Sequence, residues 1–256
     1  MKYKYLTIKC SAIFLILFAW WLATQFNWVS SLFLPSPSAV WHKFIEISQN
    51  GFMKASLWQH LAASLERIIT ALFLAILIGI PLGIFMGINK AFNAFFDPLI
   101  EFLRPIPPLA YLPLLVIWLG IGESSKILLI FLSILPPIVI NTIHGILSHK
   151  LKREHAALSL GATQNQIFFH IIFPTALPHI VTGIRIGLGI GWSTLVAAEL
   201  IAADRGLGFM IQSASQFLIT DTVFLGIILI SMIAISFELF LRWLQKKISP
   251  WYLHQE

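Results

Sequence analysis

Six long apolar stretches separated by short polar breaks set the pattern of this chain. They run from about Ile8 to Val29, Ile68 to Ile88, Phe95 to Leu119, Ile127 to Leu147, His179 to Leu200 and Val223 to Leu244. Each is near the roughly 20 residues that a helix needs to cross the hydrocarbon core of a bilayer. The third is interrupted by Pro105, Pro107, Pro108 and Pro113. Proline removes a backbone donor and crowds the preceding turn, so this stretch is predicted to be a broken helix turned toward the protein interior. Between the first two stretches, Pro35 and Pro37 open a segment in which Val40, Trp41, Phe44, Ile45 and Ile47 recur at helical spacing. That predicts a short interfacial helix, capped by Ser38. The fold class is an all-α integral membrane protein with about six transmembrane helices.

Composition strengthens this picture. Of 256 residues, 58% are hydrophobic and 11% charged, with a mean hydropathy of +0.85, where a soluble domain carries about 45–50% apolar and roughly 25% charged residues. Too little polar surface remains to cover a water-soluble body, and the same figures exclude a disordered chain. The 17 basic and 11 acidic residues leave a net charge of +6, which the positive-inside rule explains without nucleic acid. Placing the N-terminus in the cytoplasm puts Lys2, Lys4, Lys9, Lys90, Lys150, Lys152, Arg153, Arg242, Lys246 and Lys247 inside, and Lys43, Lys54, Arg67, Lys126 and Arg205 outside. Ten against five predicts both termini inside. Arg104 and Arg185, near cytoplasmic span ends, enter neither sum. The first stretch could be a cleaved signal peptide, but no small-x-small site follows it, and Trp20, Trp21 and Trp28 suit a membrane interface; an uncleaved anchor is expected. Residues 1–60 then form anchor and external segment, and 61–250 the main body. Cys10 is the one cysteine, so no intrachain disulfide is possible.

The longest inner loop, about Ser148 to Pro178, carries the clearest local signals. Lys152 to Leu160 consists mostly of good helix formers, and Gly161 supplies a left-handed C′ position. Thr163 follows as an N-cap with Gln166 three residues on, a capping box. A second helix through Ile167, Phe168, Phe169, Ile171 and Ile172 is predicted to end at Pro174. This is either a hairpin lying against the bilayer or a docking element for a cytoplasmic partner. Two glycine ladders, Gly79–Gly83–Gly87 and Gly183–Gly187–Gly191, repeat every four residues, a spacing that lets helix backbones approach closely in lipid. Each could face another span or a second copy of the chain. Arg104, Arg185 and Glu199 are costly near a bilayer. Arg185 could snorkel to the cytoplasmic interface from the second turn of its helix, and Glu199 either pairs with its loop neighbours or, with Ser193 and Thr194, lies near a translocation route.

The stretch Ala156-Ala157-Leu158-Ser159-Leu160-Gly161, followed by Ile171 and Phe173-Pro174, resembles the EAA loop of ABC-importer permeases. Two departures stand out: His155 occupies the family's glutamate position, with Glu154 one residue earlier, and Phe173 replaces the usual leucine. Arg104-Pro105-Ile106-Pro107-Pro108-Leu109-Ala110 and Trp118 to Lys126 resemble the taurine, sulfonate and nitrate branch of that family. So do Gly183 to Thr194, Ala197 to Ala203 and Arg205 to Met210, and the likeness is strongest to the taurine-transporting members. It spans about Phe33 to Pro250-Trp251. The resemblance implies a type I permease fold, a dimer of permeases, two ATP-binding subunits, an external substrate-binding protein and no cofactor. It implies ATPase coupling by Glu154, His155, Ala156, Ala157, Ser159, Gly161, Ala162 and Pro174, and a pathway near Arg104, Trp192, Ser193, Thr194 and Glu199. For a zwitterionic sulfonate, arginine would favour the anion and Glu199 would suit the amine.

Enzyme signatures are missing. Gly120 to Lys126 has Ser125 where a P-loop requires its second glycine, no HExxH pair occurs, and no serine sits in a Gly-x-Ser-x-Gly context. His149 and His155 have Glu154 alone as a nearby acid, so no metal is assigned. The rival from another class is an ion-gradient-driven secondary transporter, whose halves commonly repeat with interrupted helices in matching places. Here the prolines cluster in the third and fourth stretches with no matching half.

Overall fold

The computed structural model describes residues 2–148 and 151–250, with side chains outside 1–10, 12–13 and 149–152. Lys2, Lys4, Lys9, Cys10, His149, Lys150, Lys152 and Trp251, all used above, lie outside the described residues or side chains. The helices are α1 (Lys2–Gln25), α2 (Pro37–Asn50), α3 (Leu57–Ile88), α4 (Lys90–Leu103), α5 (Leu112–Leu119), α6 (Glu123–Leu147), α7 (Leu151–Ser159), α8 (Gln164–Ile167), α9 (Phe173–Ala202), α10 (Leu207–Gln216) and α11 (Thr220–Ile248). A 3-10 turn, Pro108–Tyr111, precedes α5, and a π turn, Phe168–Ile172, joins α8 to α9. Among the described residues, α3, α6, the run Gln164–Ala202 and α11 are long and apolar enough to cross a membrane, and the bent pair Lys90–Leu103 with Pro108–Leu119 adds a fifth candidate. The first apolar stretch is helical as α1.

Several expected boundaries move for local reasons. The cap of α2 is Ser36, not Ser38: its Oγ accepts from the Ala39 N–H at 3.2 Å, and Pro37 takes the first helical position, where a missing N–H costs nothing. Pro174 does not end the second hairpin helix. The π turn widens the helix just before it, and the chain continues helically to Ala202. The third stretch bends by 91° between α4 and the segment holding α5, yet it does not simply face inward. Leu112 and Leu115 are buried, whereas Ile117 and Trp118 are exposed. Helix α10 is an element that the apolar pattern did not suggest.

The chain groups into two compact units: residues 1–63 with 204–231, and residues 64–203 with 232–256. In the first, the Trp20 indole donates to the Pro35 carbonyl at 3.0 Å and stacks on Phe224. His60 is fully buried. Its Nδ1 lies 3.2 Å from the Gly206 nitrogen and 3.1 Å from the Gly206 carbonyl oxygen, and its Nε2 lies 3.0 Å from the Phe52 carbonyl. Gly206 has φ +132°, a conformation that L side chains rarely adopt. The Lys43 ammonium pairs with Glu46 at 2.9 Å and lies 3.7 Å from Asp221; the hydrogen bond to Glu46 lifts its pKa above the usual lysine value.

The second unit is built around α6. All six ladder glycines face it. A Cβ added at Gly83 would stand 2.6 Å from Cβ of Thr142, one at Gly87 2.7 Å from Ile146, one at Gly183 2.7 Å from Asn141, and one at Gly191 2.7 Å from Ile134. Helices α3 and α9 thus press glycine faces onto α6, and the contact of α6 with α9 is extensive. A smaller apolar cluster of Met86, Ile100, Leu135 and Val139 seats α4 on α6, and Leu112, Leu115, Leu129 and Ala198 seat α5. The expected consequence is that Gly83→Leu lowers stability by roughly 1–3 kcal/mol or more through overpacking. Gly189→Ala, where nothing lies within 4 Å, leaves it unchanged or slightly higher. Thermal unfolding of the detergent-purified protein checks the pair.

Candidate functional site

Three places gather the chemistry-bearing residues. The first is the hairpin α7–α8. Its turn closes by a Schellman motif: the Ala162 N–H donates to the Ala157 carbonyl at 3.0 Å and the Gly161 N–H to Leu158 at 2.9 Å. Gly161 takes φ +83° at the C′ position. Thr163 and Gln166 then form the reciprocal capping box, with the Thr163 N–H donating to Gln166 Oε1 at 2.8 Å. Two rigid caps in succession fix the angle between the helices. His155, Ala156, Ser159 and Gly161 are exposed, Glu154, Ala157, Ala162 and Pro174 partly buried. Leu160 is 88% exposed. A hollow of about 460 Å³ opens between the arms, lined by Ala157, Leu160, Gly161, Ala162, Gln166 and Ile167 among others. An apolar side chain this exposed on a stiff turn is suited to insertion into another surface.

The second is a buried ion network that joins three helix ends. Arg67 of α3 directs Nε and Nη2 to the two oxygens of Glu123 at the start of α6, and Nη1 to Glu199 near the end of α9 at 2.6 Å. Ser64 donates to both Glu199 oxygens at 2.8 and 2.9 Å, and Lys126 donates to Glu123 at 2.9 Å. Arg67 and Glu199 are 2% and 1% exposed. Glu123 also sits in the first turn of its helix, where the macrodipole favours an anion. Arg67, Ser64, Glu123 and Lys126 escaped the reading of the sequence, because Arg67 borders the apolar run and was counted as a loop cation. Glu199 has Arg67, 132 residues away, as an ion-pair partner, and its carboxylate also accepts from Ser64. Arg185 binds Glu238 of α11 through Nη2 and Nε, and its Nη1 donates to Gln245 at 3.0 Å.

The third is a cavity of about 310 Å³ at the bend between α4 and α5, walled by α6 and α9. Arg104, Tyr111, Ser133 and Asn141 give it polar groups, and Ile106, Leu132, Ile186 and Ile190 apolar ones. Of the pathway residues expected from the sequence, Arg104 alone lines it. Trp192 is 7% exposed, its ring edge-on to Phe237 and its indole N–H without an acceptor. Thr194 is buried and donates to the Ile190 carbonyl, and Ser193 is exposed. No cluster among the described residues could hold a metal ion.

Comparisons with known proteins agree with this geometry. Residues 79–250 match the family described as "Binding-protein-dependent transport system inner membrane component". The chain is 53% identical to the Escherichia coli taurine transport system permease protein TauC over 97% of this chain and 91% of that one. It is 43% identical to an Escherichia coli permease protein named for aliphatic sulfonates transport, over 85% and 81%. A nitrate import permease protein, NrtB of Synechocystis, is 35% identical over 60% and 56%. Among solved structures, a chain of the MetNI methionine ABC transporter in an inward-facing conformation superposes with a TM-score of 0.59 at 20% identity, covering 73% of this chain and 94% of that one. At that identity the likeness speaks for the fold.

The network makes a direct prediction. Arg67→Met leaves the Glu199 carboxylate buried without its cation and is expected to cost about 3–5 kcal/mol. Replacing both by methionine is expected to recover much of that loss, because no unpaired charge remains. Unfolding midpoints of the two single variants and the double variant, read as a double-mutant cycle, measure the coupling.

Proposed function

The chain belongs to the family of inner membrane components of binding-protein-dependent transport systems, and on that premise we propose that two copies form the pathway of an ATP-driven importer for taurine or a related small sulfonate. It is a permease subunit of an ABC importer, and family membership replaces the alternative of an ion-gradient-driven transporter. Family membership also implies an ATP-binding partner and a substrate-binding protein. The substrate rests on one observation above the others, the 53% identity to a taurine permease over nearly the whole chain. The less similar sulfonate and nitrate permeases keep the ligand a small anion.

In this reading α7 and α8 are the coupling hairpin, and His155 or Glu154 stands where the family glutamate would meet the ATPase. What supports the role is shape: a doubly capped turn with an exposed Leu160 at its tip. Residues 1–60 serve as anchor and external segment, 61–250 as the permease core with its coupling loop at 148–178, and both termini lie in the cytoplasm of the cell inner membrane. Arg67 and Lys126 belong to a buried network, so the basic residues counted on the outer side fall to Lys43, Lys54 and Arg205, which favours the same orientation. The Arg67–Glu199 network then ties the outer ends of α3, α6 and α9. The six glycines hold the core together.

The experiment is uptake of labelled taurine into liposomes holding the permease with its ATP-binding subunit and delivery protein. ATP-dependent accumulation that is lost when the ATP-binding subunit is omitted is expected; equal uptake without it overturns the proposal. Gly161→Val forces a β-branched residue into a left-handed conformation that costs an L residue about 1–2 kcal/mol and misdirects the hairpin. Uptake is expected to fall at least tenfold while the purified variant keeps its helical content.

A further inference from the structure

The cavity at the bend presents one exposed cation on one side and a set of hydrogen-bond acceptors on another. The acceptors have a covalent origin. In a helix the carbonyl of residue i accepts from the N–H of residue i+4, or from i+3 where the turn tightens. Pro136 and Pro137 stand inside α6 and have no N–H. The Ser133 carbonyl therefore loses both its i+3 and i+4 donors, and the Leu132 carbonyl loses its i+4 donor. This deficit falls on a turn of α6 whose residues Leu132, Ser133, Pro136 and Pro137 line the cavity. Carbonyls left short of donors inside a membrane protein persist where a cavity, water or ligand can supply them.

The neighbouring side chains add acceptors. The Ser133 hydroxyl proton is committed to the Ile130 carbonyl at 2.7 Å, so its oxygen faces other groups as an acceptor. Asn141 donates its amide to the Pro137 carbonyl at 2.8 Å, which leaves Oδ1 as the acceptor of that group. Opposite in charge is Arg104, 65% exposed, whose nearest acid, Glu101, is 3.7 Å away and itself exposed. At that distance and exposure the pair holds the guanidinium weakly. No carboxylate lines the cavity.

We propose that this cavity is a subsite of the permease itself for a small zwitterion with a strong-acid anion, an aminosulfonate. Arg104 takes the sulfonate, and the Ser133 carbonyl with Ser133 Oγ and Asn141 Oδ1 takes the ammonium. The proposal rests on the reading of the chain as a taurine permease and names the residues that would tell taurine from an amine-free sulfonate. It moves amine recognition from Glu199, whose carboxylate is engaged by Arg67 and Ser64, to neutral acceptors uncovered by a proline pair.

Equilibrium binding of labelled taurine to the purified permease with its ATP-binding subunit, without the delivery protein, tests it, with ethanesulfonate as amine-free competitor. The wild type is expected to bind taurine saturably. Arg104→Gln is expected to weaken both ligands at least about tenfold, the loss of a charged hydrogen bond. Pro137→Ala returns a helical donor to the Ser133 carbonyl, and is expected to weaken taurine at least about tenfold with ethanesulfonate changed less than twofold. Equal weakening of both ligands by Pro137→Ala marks a merely structural proline and overturns the proposal, as does an unchanged Arg104→Gln. Absence of saturable binding to a wild type whose complete importer still accumulates taurine overturns the subsite and leaves the importer standing; absence of accumulation as well removes both.

Discussion

Backbone contact between α6 and its two glycine-faced neighbours is the constraint from which the rest of the core follows. In lipid the apolar effect gives helices little reason to associate, so close van der Waals approach must supply it. Gly79, Gly83 and Gly87 on α3, and Gly183, Gly187 and Gly191 on α9, bring both helices into close approach with α6. Once α6 is clasped, the rotations of α3 and α9 are set. That rotation turns Arg67 and Glu199 toward each other and toward Glu123 at the α6 N-terminus.

The same clasp explains how α6 can carry two consecutive prolines. A Pro-Pro pair would weaken a lone helix by removing donors and crowding the preceding turn. Here Gly183 and Gly187 pack against that region, with the Pro137 and Ile134 carbonyls 3.0 Å from the positions of their missing Cβ atoms. The helix is held straight enough to continue while its own hydrogen bonding is incomplete. The turn that carries the open acceptors lines the cavity at the bend between α4 and α5, where a broken helix leaves room.

The hairpin is stabilised by different means. Its geometry comes from capping: a Schellman turn, then a capping box, each closing backbone groups that a helix end leaves open. Motion applied to such a piece is passed on rather than absorbed. It runs without a helical break through the π turn into α9, the helix that also carries a glycine ladder, Arg185 and Glu199. The proposed coupling hairpin is thus covalently continuous with a helix packed closely on α6.

Sequence alone determined what depends on neighbours along the chain. Apolar runs of spanning length, the proline-broken third stretch, the four-residue glycine spacing and the Gly161 and Thr163 caps are local patterns, and each corresponds to a feature of the structure. Boundaries slipped where a local competitor won, as when Ser36 with Pro37 capped α2 in place of Ser38, and when a π turn let the helix pass Pro174. What tertiary structure decided was pairing at a distance. Arg67 meets carboxylates 56 and 132 residues away, Arg185 meets one 53 residues on, and both glycine ladders meet the same helix. A pattern along one helix shows which face is small or charged, but not how the helix is rotated against its neighbours. That angle is set by the packing of all of them at once, and it selects the partner of each buried charge.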